Sequence, residues 1–181
     1  MQGIRLTAAT TDMLTRLRKL YEASFPPEER RGWESITGAA NDAPGPILRA
    51  IRDDDGAVCG MVTFWSFGKF TYIEHLAVDS GLRGKGIGAR VLEELARACG
   101  NAIVLEVEPP EDSNPMAIRR IGFYRRNGLG ILCEDGTPYP YIQPPYATGL
   151  PSVPLLLMST DITLDPREVE KVLHREVYGA C

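Results

Sequence analysis

The sequence predicts an α/β fold in which strands and flanking helices alternate along the chain. Apolar runs of strand length alternate with segments whose apolar residues recur at helical spacing. Residues 70–107 follow the order strand, glycine-rich turn, helix and strand, which joins two parallel strands by a right-handed crossover. The length of 181 residues suits one ordinary domain, so we expect a single domain over residues 1–181.

The first half of the chain is predicted to contain four strands and two helices. The predicted strands are residues 4–8, 47–52, 58–66 and 70–78, with a hairpin turn at the Asp-Asp-Asp-Gly of residues 53–56. Thr10 or Thr11 caps a first helix that stops at Pro26. A second helix is predicted from residue 28 to about residue 39, because Pro27 suits a first helical position. A linker follows over residues 38–46.

The second half is predicted to contain three helices and three strands. A helix over residues 87–99, ending at Gly100, precedes a buried strand over residues 102–107. The remaining predicted elements are a helix at 115–126, strands near 129–133 and 153–159, and a last amphipathic helix that begins at Asp165-Pro166. A long loop rich in proline, glycine and tyrosine separates the last two strands.

The turn at residues 83–88, Arg-Gly-Lys-Gly-Ile-Gly, is the most informative segment. Glycines at alternate positions permit backbone conformations that a Cβ would forbid and leave amide groups uncovered. At the start of a helix, such amides form a binding site for phosphate. A Walker loop needs Ser or Thr after Gly84-Lys85, and a dinucleotide loop needs G-x-G-x-x-G; neither pattern fits. A surface turn without a ligand is the alternative.

Composition excludes several classes of protein. The 44% hydrophobic and 24% charged residues are typical of a soluble globular protein, and a net charge of -4 argues against a nucleic-acid partner. The four cysteines are far apart and only two histidines accompany them, so we expect no metal site and a reducing cytoplasm. The absence of a signal-like or bilayer-length apolar run predicts a cytoplasmic protein with no membrane partner.

Two motifs occur in order around the predicted crossover. Arg83, Gly86 and Gly88 fit the pattern R/Q-x-x-G-x-G/A, and Ala117 with residues 122–129 fits much of the pattern A-x-x-F-Y-x-x-x-G-F. These segments resemble the coenzyme A loop and the helix after the fifth strand in the GNAT superfamily of N-acetyltransferases. The resemblance covers residues 70–129, about a third of the chain.

The resemblance implies the GNAT acyltransferase fold, a central mixed, mostly antiparallel sheet whose parallel fourth and fifth strands splay apart between flanking helices. It implies that acetyl-CoA is the co-substrate and enters the gap between these strands. The residues assigned to acetyl-CoA binding are Leu76, Ala77, Val78, Arg83, Gly84, Lys85, Gly86, Ile87, Gly88, Asn114 and Ala117. Arg83 and Lys85 are either charge partners of the phosphates or solvated loop cations.

Acetylation of an amine requires a base, because a primary amine with a pKa near 10 is only about 0.1% unprotonated at neutral pH. Glu74 is the candidate base, since a carboxylate within an apolar strand needs a reason to be there. Strand alternation predicts that Glu74, Leu76 and Val78 share one face and that His75 points to the other. The alternative is a structural carboxylate.

Further residues complete the predicted site. Glu106 and Glu108 are reserve candidates for the base, and His75 is expected to be a satisfied core histidine. Tyr124 resembles the tyrosine that donates a proton to the departing CoA thiolate in this superfamily; the alternative is a core aromatic residue. The acceptor is expected between residues 21–33 and the loop 137–154, which otherwise covers the core.

The resemblance thus implies an acetyl-CoA-dependent N-acetyltransferase that acts on a primary amine of a small molecule or peptide by direct attack in a ternary complex. The alternative is a non-catalytic CoA-binding sensor or regulatory domain of the same fold. The exposed late strands and final helix are compatible with a homodimer.

Overall fold

The structure, a computed structural model, describes residues 3–38 and 45–180. The strands are β1 (Ile4–Ala8), β2 (Ile47–Asp53), β3 (Val58–Ser66), β4 (Phe70–Val78), β5 (Ala102–Val107), β6 (Gly130–Ile131), β7 (Cys133–Glu134), β8 (Thr137–Pro138), β9 (Tyr141–Gln143) and β10 (Val153–Ser159). The helices are α1 (Thr11–Ser24), α2 (Trp33–Ile36), α3 (Ile87–Cys99), α4 (Pro115–Arg126) and α5 (Pro166–Val172).

One mixed sheet dominates the described residues, in the order β1-β2-β3-β4-β5-β10-β6, with β9 paired to β10. β4 and β5 pair in parallel, and the other strand pairs of the described residues are antiparallel. The predicted α/β class, with a mostly antiparallel sheet and a parallel fourth and fifth strand, is confirmed.

Helices cover both faces of this sheet. On one face, α3 packs through Val91, Leu92 and Leu95 against strand residues such as Val62 and Leu105. On the other face, α1 and the C-terminal helical segment pack against two further apolar clusters. The apolar stripe of α3 at spacings of three and four residues explains its orientation, and Gly100 ends it with a φ of 66°.

β4 and β5 stop pairing after Ile73, at the level where a β-bulge interrupts β4. The β4–β5 register runs from Phe70↔Ala102 to Ile73↔Leu105 and then ceases. The β3–β4 register shifts at the same level, because Phe64 pairs with Ile73 whereas Thr63 pairs with His75. Glu74 is therefore the extra residue of the bulge, and such an insertion bends and twists its strand. Beyond Ile73 the two parallel strands diverge, as the predicted splay requires.

Three predicted elements differ in the structure: the second helix, the late loop, and the strand predicted near residues 129–133, which is split into β6 and β7 in different sheets. The helix predicted from residue 28 is replaced by a 3-10 turn, Pro27–Glu29, and by the four-residue α2, while residue 39 lies outside the described residues. Arg30 is extended, which breaks the helix and lets the next side chain reach β4. The linker predicted at 38–46 falls mostly outside the described residues. The late loop contains β8 and β9, because the short β9 finds its partner in β10.

The chain ends, within the described residues, in α5 followed by a π-type turn, Leu173–Val177. Asp165 caps α5 by accepting a hydrogen bond from the backbone N–H of Arg167 at 2.9 Å, as its position before Pro166 predicts. No helix of residues 3–38 and 45–180 has both the length and the apolar character needed to cross a membrane.

Candidate active site

A cleft of about 840 Å³ opens where β4 and β5 part. Its walls come from the ends of β4 and β5, the start of α3, one side of α4, the segment after α1, and the strands β9 and β10. The predicted donor-binding residues that line it are Leu76, Ala77, Val78, Arg83, Gly84, Gly86, Ile87 and Gly88. Glu74 and Tyr124 line it as well.

The glycine loop forms the end of the cleft at the start of α3. Gly84 and Gly86 both have a φ of 77°, a left-handed conformation that favours glycine, and both are exposed. Gly86 is the residue before the first turn of α3, so the free amides of that turn and the helix dipole face the same end of the cleft. A Cβ on Gly88 would lie 3.1 Å from the Phe123 ring, so glycine there allows α4 to approach α3. This arrangement fits a diphosphate.

Three predicted donor-binding residues lie elsewhere. Lys85 lines a separate pocket of about 350 Å³ between α3 and the first strands. Asn114 caps α4 by accepting from the Ala117 N–H at 3.1 Å, and its own amide donates to Glu108 at 3.2 Å. Ala117 is fully buried. The structure does not bring these three side chains to the cleft wall, because Asn114 caps α4, Ala117 packs inside the core and Lys85 lies at the other pocket.

The Glu74 side chain has no exposed surface and both of its oxygens have partners. Oε1 accepts from the Arg31 Nε at 2.7 Å, and Oε2 accepts from the Trp65 Nε1 at 2.9 Å. Arg31 also donates to the Val177 carbonyl at 2.6 Å. A base role for Glu74 stays a prediction, and this ion pair argues against it, since a neutralised and shielded carboxylate cannot reach an incoming amine.

The predicted sharing of one strand face by Glu74, Leu76 and Val78 is wrong. Leu76 and Val78 pack with the α3 cluster, whereas Glu74 contacts Trp65 on the opposite face of the sheet. The bulge causes this reversal, because one extra residue shifts the two-residue alternation. Consequently Glu74 and His75, although adjacent, both face the side of α1.

His75 is the satisfied core histidine that the sequence predicted. Its Nδ1 lies 3.0 Å from the Thr63 hydroxyl, and its Nε2 lies 3.0 Å from the Glu29 carbonyl and 3.3 Å from the Tyr21 hydroxyl. Burial lowers the pKa of His75, so the neutral imidazole prevails near pH 7. Its ring forms part of the cleft wall with Phe25, at 4.8 Å between ring centroids, and with Tyr146.

Glu106 combines the features that a catalytic carboxylate needs. It follows Leu105, the last residue of β5 that pairs with β4, and it lines the cleft. Tyr141 donates a hydrogen bond to Oε1, and Tyr178 donates to Oε2 at 2.9 Å. The Tyr72 hydroxyl lies 3.1 Å from that of Tyr178 and extends the chain of hydrogen bonds.

Burial raises the pKa of Glu106 to about 7, although hydrogen bonds from tyrosine hydroxyls favour the charged form and oppose that effect. A carboxylate with this pKa exchanges protons readily at neutral pH, which suits a general base. Glu106 was only a reserve candidate from the sequence. Its tyrosine partners lie far away in the chain, so no local pattern could have indicated the environment that adjusts its pKa.

Tyr124 lies on the α4 side of the cleft, next to Phe123, with 5.2 Å between the two ring centroids. Burial raises the pKa of its phenol, so the group is protonated at neutral pH and can donate a proton. No sequence pattern indicates Tyr72 and Tyr178 as partners of Glu106, or Arg31 as the partner of Glu74. Each of these contacts joins distant parts of the chain.

Comparison with known proteins assigns the family. A family model described as Acetyltransferase (GNAT) family matches residues 13–130, which is more than half of the chain. The chain belongs to the GNAT family of acetyltransferases. The matched region contains the glycine loop, both diverging strands and α4, so the two motifs found in the sequence lie within it. The recognition of this superfamily from the sequence is confirmed.

GNAT relatives match the chain over different lengths. A solved structure from Bacteroides thetaiotaomicron, described as an acetyltransferase of the GNAT family, is 36% identical, with a TM-score of 0.81 over 98% of this chain and 99% of that chain. The Bacillus subtilis (strain 168) protein YjbC, also described as an acetyltransferase, is 30% identical over 66 residues. That match spans 36% of this chain and about a third, 34%, of the relative.

A more distant solved structure shares the fold. Arabidopsis thaliana Naa50 in complex with the bisubstrate analogue CoA-Ac-MVNAL is 21% identical, with a TM-score of 0.56 over 86% of this chain and 97% of that chain. The GNAT fold predicted from the sequence is therefore confirmed, and the family membership supports acyl transfer as the general activity of this chain.

Proposed function

We propose that this GNAT protein transfers an acetyl group from acetyl-CoA to a primary amine of a small molecule or peptide, by direct attack in a ternary complex. The observation that carries the proposal is the position of Glu106, a cleft carboxylate with a pKa raised to about 7 at the point where β4 and β5 part. The bisubstrate complex of Naa50, which contains a CoA moiety, supports a CoA-based donor.

In this proposal the glycine loop binds the diphosphate of acetyl-CoA. The left-handed Gly84 and Gly86 turn backbone amides outward, and Arg83 adds a positive charge at the cleft. The backbone of Leu76 and Val78, on a strand that has lost its parallel neighbour, offers donors and acceptors to the pantetheine arm. Acetyl-CoA supplies the activated acetyl group, and the protein supplies alignment and proton transfer.

Two protein groups move protons in opposite directions. The Glu106 carboxylate accepts the proton of the amine, whose nitrogen forms a bond to the acetyl carbon. The bond from that carbon to sulfur breaks, and the Tyr124 hydroxyl donates a proton to the departing thiolate. In this proposal Glu74 keeps Arg31 in place through their ion pair and has no part in the proton transfer.

Thiol release from acetyl-CoA, measured across a panel of primary amines and short peptides, tests the proposal. Glu106→Gln is expected to slow turnover by about a hundredfold or more, since general base catalysis contributes that much, and to leave acetyl-CoA affinity unchanged. Glu94→Gln, which alters an exposed carboxylate on α3 bonded to Arg97, is the matched control and should retain activity.

The pH dependence provides a second readout. Because the carboxylate of Glu106 must be unprotonated to accept a proton, kcat/KM is expected to rise with pH through about 7 in the wild type.

Acetyl-CoA binding without thiol release from any amine would instead favour a non-catalytic CoA-binding domain. Full activity of Glu106→Gln would remove this residue from the mechanism.

A further inference from the structure

The side chain of Gln143 is a buried polar group of the cleft with an unused hydrogen-bond donor. Gln143 is 5% exposed and lines the cleft, and its Nε2 has no hydrogen-bond partner in the structure. Buried amide groups in folded proteins almost always have a partner. An orphaned one in the wall of a substrate cleft indicates that a ligand supplies the missing hydrogen bond.

The register of β9 places Gln143 close to Glu106. Residues Tyr141 and Gln143 are buried and the intervening Ile142 is exposed, so the first two share a strand face. The Tyr141 hydroxyl donates to the Glu106 carboxylate. Two residues along a strand span roughly 7 Å, so one small ligand can contact both the Gln143 amide and the region of Glu106.

The surroundings define the chemistry of the ligand group that meets Gln143. Val153 pairs directly with Gln143 across the β9–β10 ladder, and it lines the cleft together with Leu155, so this wall is apolar. The Glu106 carboxylate, held by the Tyr141 hydroxyl beside Gln143, disfavours an anion at this end of the cleft, whereas the arginines of the cleft, Arg83, Arg119 and Arg120, belong to the glycine loop and α4. An uncharged carbonyl oxygen therefore suits the Gln143 donor better than a carboxylate does.

An aromatic surface lies beside this polar contact. The rings of Phe25, His75 and Tyr146 line the cleft, with 4.8 Å between the first two centroids and 6.1 Å between the last two. This surface favours an apolar or aromatic substituent on the ligand through burial of apolar area and ring stacking.

We propose that the Gln143 amide donates a hydrogen bond to an uncharged carbonyl oxygen next to the reacting amine, so that the acceptor is an amino acid amide or a peptide N terminus with an apolar side chain. The inference rests on the proposed function only in that the amine binds beside Glu106. It goes further by naming the group that the acceptor carries and the residue that selects it.

Calorimetric titration of the CoA-saturated protein with two matched amines tests this inference without requiring turnover. Phenylalaninamide carries the carbonyl group, and phenethylamine has the same ring and amine without it. Because the two amines differ in basicity, the informative quantity is the change in the ratio of their dissociation constants between wild type and variants.

Gln143→Leu, of similar size, removes the donor and is expected to reduce the preference for phenylalaninamide about tenfold, the usual effect of one hydrogen bond. Gln143→Glu, a second variant of the same shape, should reduce it at least as much, because a carboxylate repels the carbonyl oxygen. Thr7→Val is the control: it removes another buried unpartnered polar atom, on the edge strand β1, and should leave the ratio unchanged.

An unchanged ratio in both Gln143 variants overturns the inference, as does a failure of the wild type to bind phenylalaninamide. The proposed function is judged separately, by thiol release with either amine. Acetylation of phenethylamine with an unaltered preference in Gln143→Leu would leave the enzyme assignment intact and disprove the role of Gln143. Binding selectivity that depends on Gln143, without thiol release from either amine, would support the role of Gln143 and contradict the enzyme assignment.

Discussion

The two sides of the cleft are built in opposite ways. The side proposed to bind the donor, residues 76–88, is one continuous segment that carries two left-handed glycines, Gly84 and Gly86, at the cleft. The acceptor side, here Phe25, Glu106, Gln143 and Tyr146, is assembled from side chains of distant segments. Many reactions use acetyl-CoA as the donor, and backbone groups alone are enough to bind it. In the proposed function the acceptor side selects the amine, and such selection requires side chains held by long-range contacts.

The strongest test of this contrast removes the ion pair between Arg31 and Glu74, which joins distant segments of the chain beside the acceptor side. Arg31→Met is expected to lower the free energy of unfolding by about 3 kcal/mol, because it leaves the Glu74 carboxylate buried without its charge partner. Urea unfolding measures the effect. Arg18→Met, which removes an exposed pair with Glu22, should cause no measurable change. Equal stability of the two variants would show that the buried pair does not support this side.

Tyr124 lies between the two sides and tests whether they cooperate in chemistry. Tyr124→Phe is expected to slow turnover by about a hundredfold, because no hydroxyl remains to protonate the thiolate. The dissociation constant of acetyl-CoA should stay nearly constant, since the ring and its contact with Phe123 are kept. Steady-state kinetics together with calorimetry separate the two quantities. Undiminished turnover would leave Tyr124 as a packing residue only.

The donor side is tested by comparing the two left-handed glycines that flank α3. Gly86 and Gly100 have φ of 77° and 66°, and a Cβ on either meets no atom within 4 Å. Replacement of either by alanine costs similar backbone strain, but only Gly86→Ala is expected to weaken acetyl-CoA binding, by about tenfold. Equal affinity in the two variants would contradict a backbone site for the diphosphate.

The smallest effect concerns the pKa of Glu106. Tyr178→Phe removes a donor that stabilises the carboxylate, so the pKa of Glu106 rises and the acidic limb of kcat/KM moves up by about one pH unit. Tyr141 and Tyr72 still face the carboxylate in this variant, which limits the shift. The negative charge of Glu74 raises the pKa of Glu106, whereas these hydroxyls lower it.

Tyr139→Phe is the matched control for that pH profile. The Tyr139 hydroxyl bonds Glu170 on α5 and does not contact Glu106, so its removal should leave the acidic limb in place. A pH profile that is identical in Tyr178→Phe and the wild type would mean that Tyr178 does not affect the pKa of Glu106.

Prediction from the sequence succeeded where local chemistry dominates. β3, β4 and α4 were predicted with their observed bounds, because apolar periodicity, capping residues and glycine stops act within a few positions. It failed for the helix predicted from residue 28, where Arg31 leaves the helix to pair with Glu74 in β4. It also missed β9, which is too short for a pattern and is stabilised by β10.

The sequence by itself determined the family, the glycine loop and the order of the main elements, since each depends on neighbouring residues and on backbone geometry. Only the tertiary structure distinguishes the surroundings of two cleft carboxylates, Glu74 and Glu106. One inserted residue at Glu74 turns that side chain away from the face of Leu76 and towards Arg31. The chain fold then surrounds Glu106 with Tyr141 and Tyr178, and the resulting burial and hydrogen bonds adjust its pKa. Such an environment depends on contacts between distant segments, which local patterns do not specify.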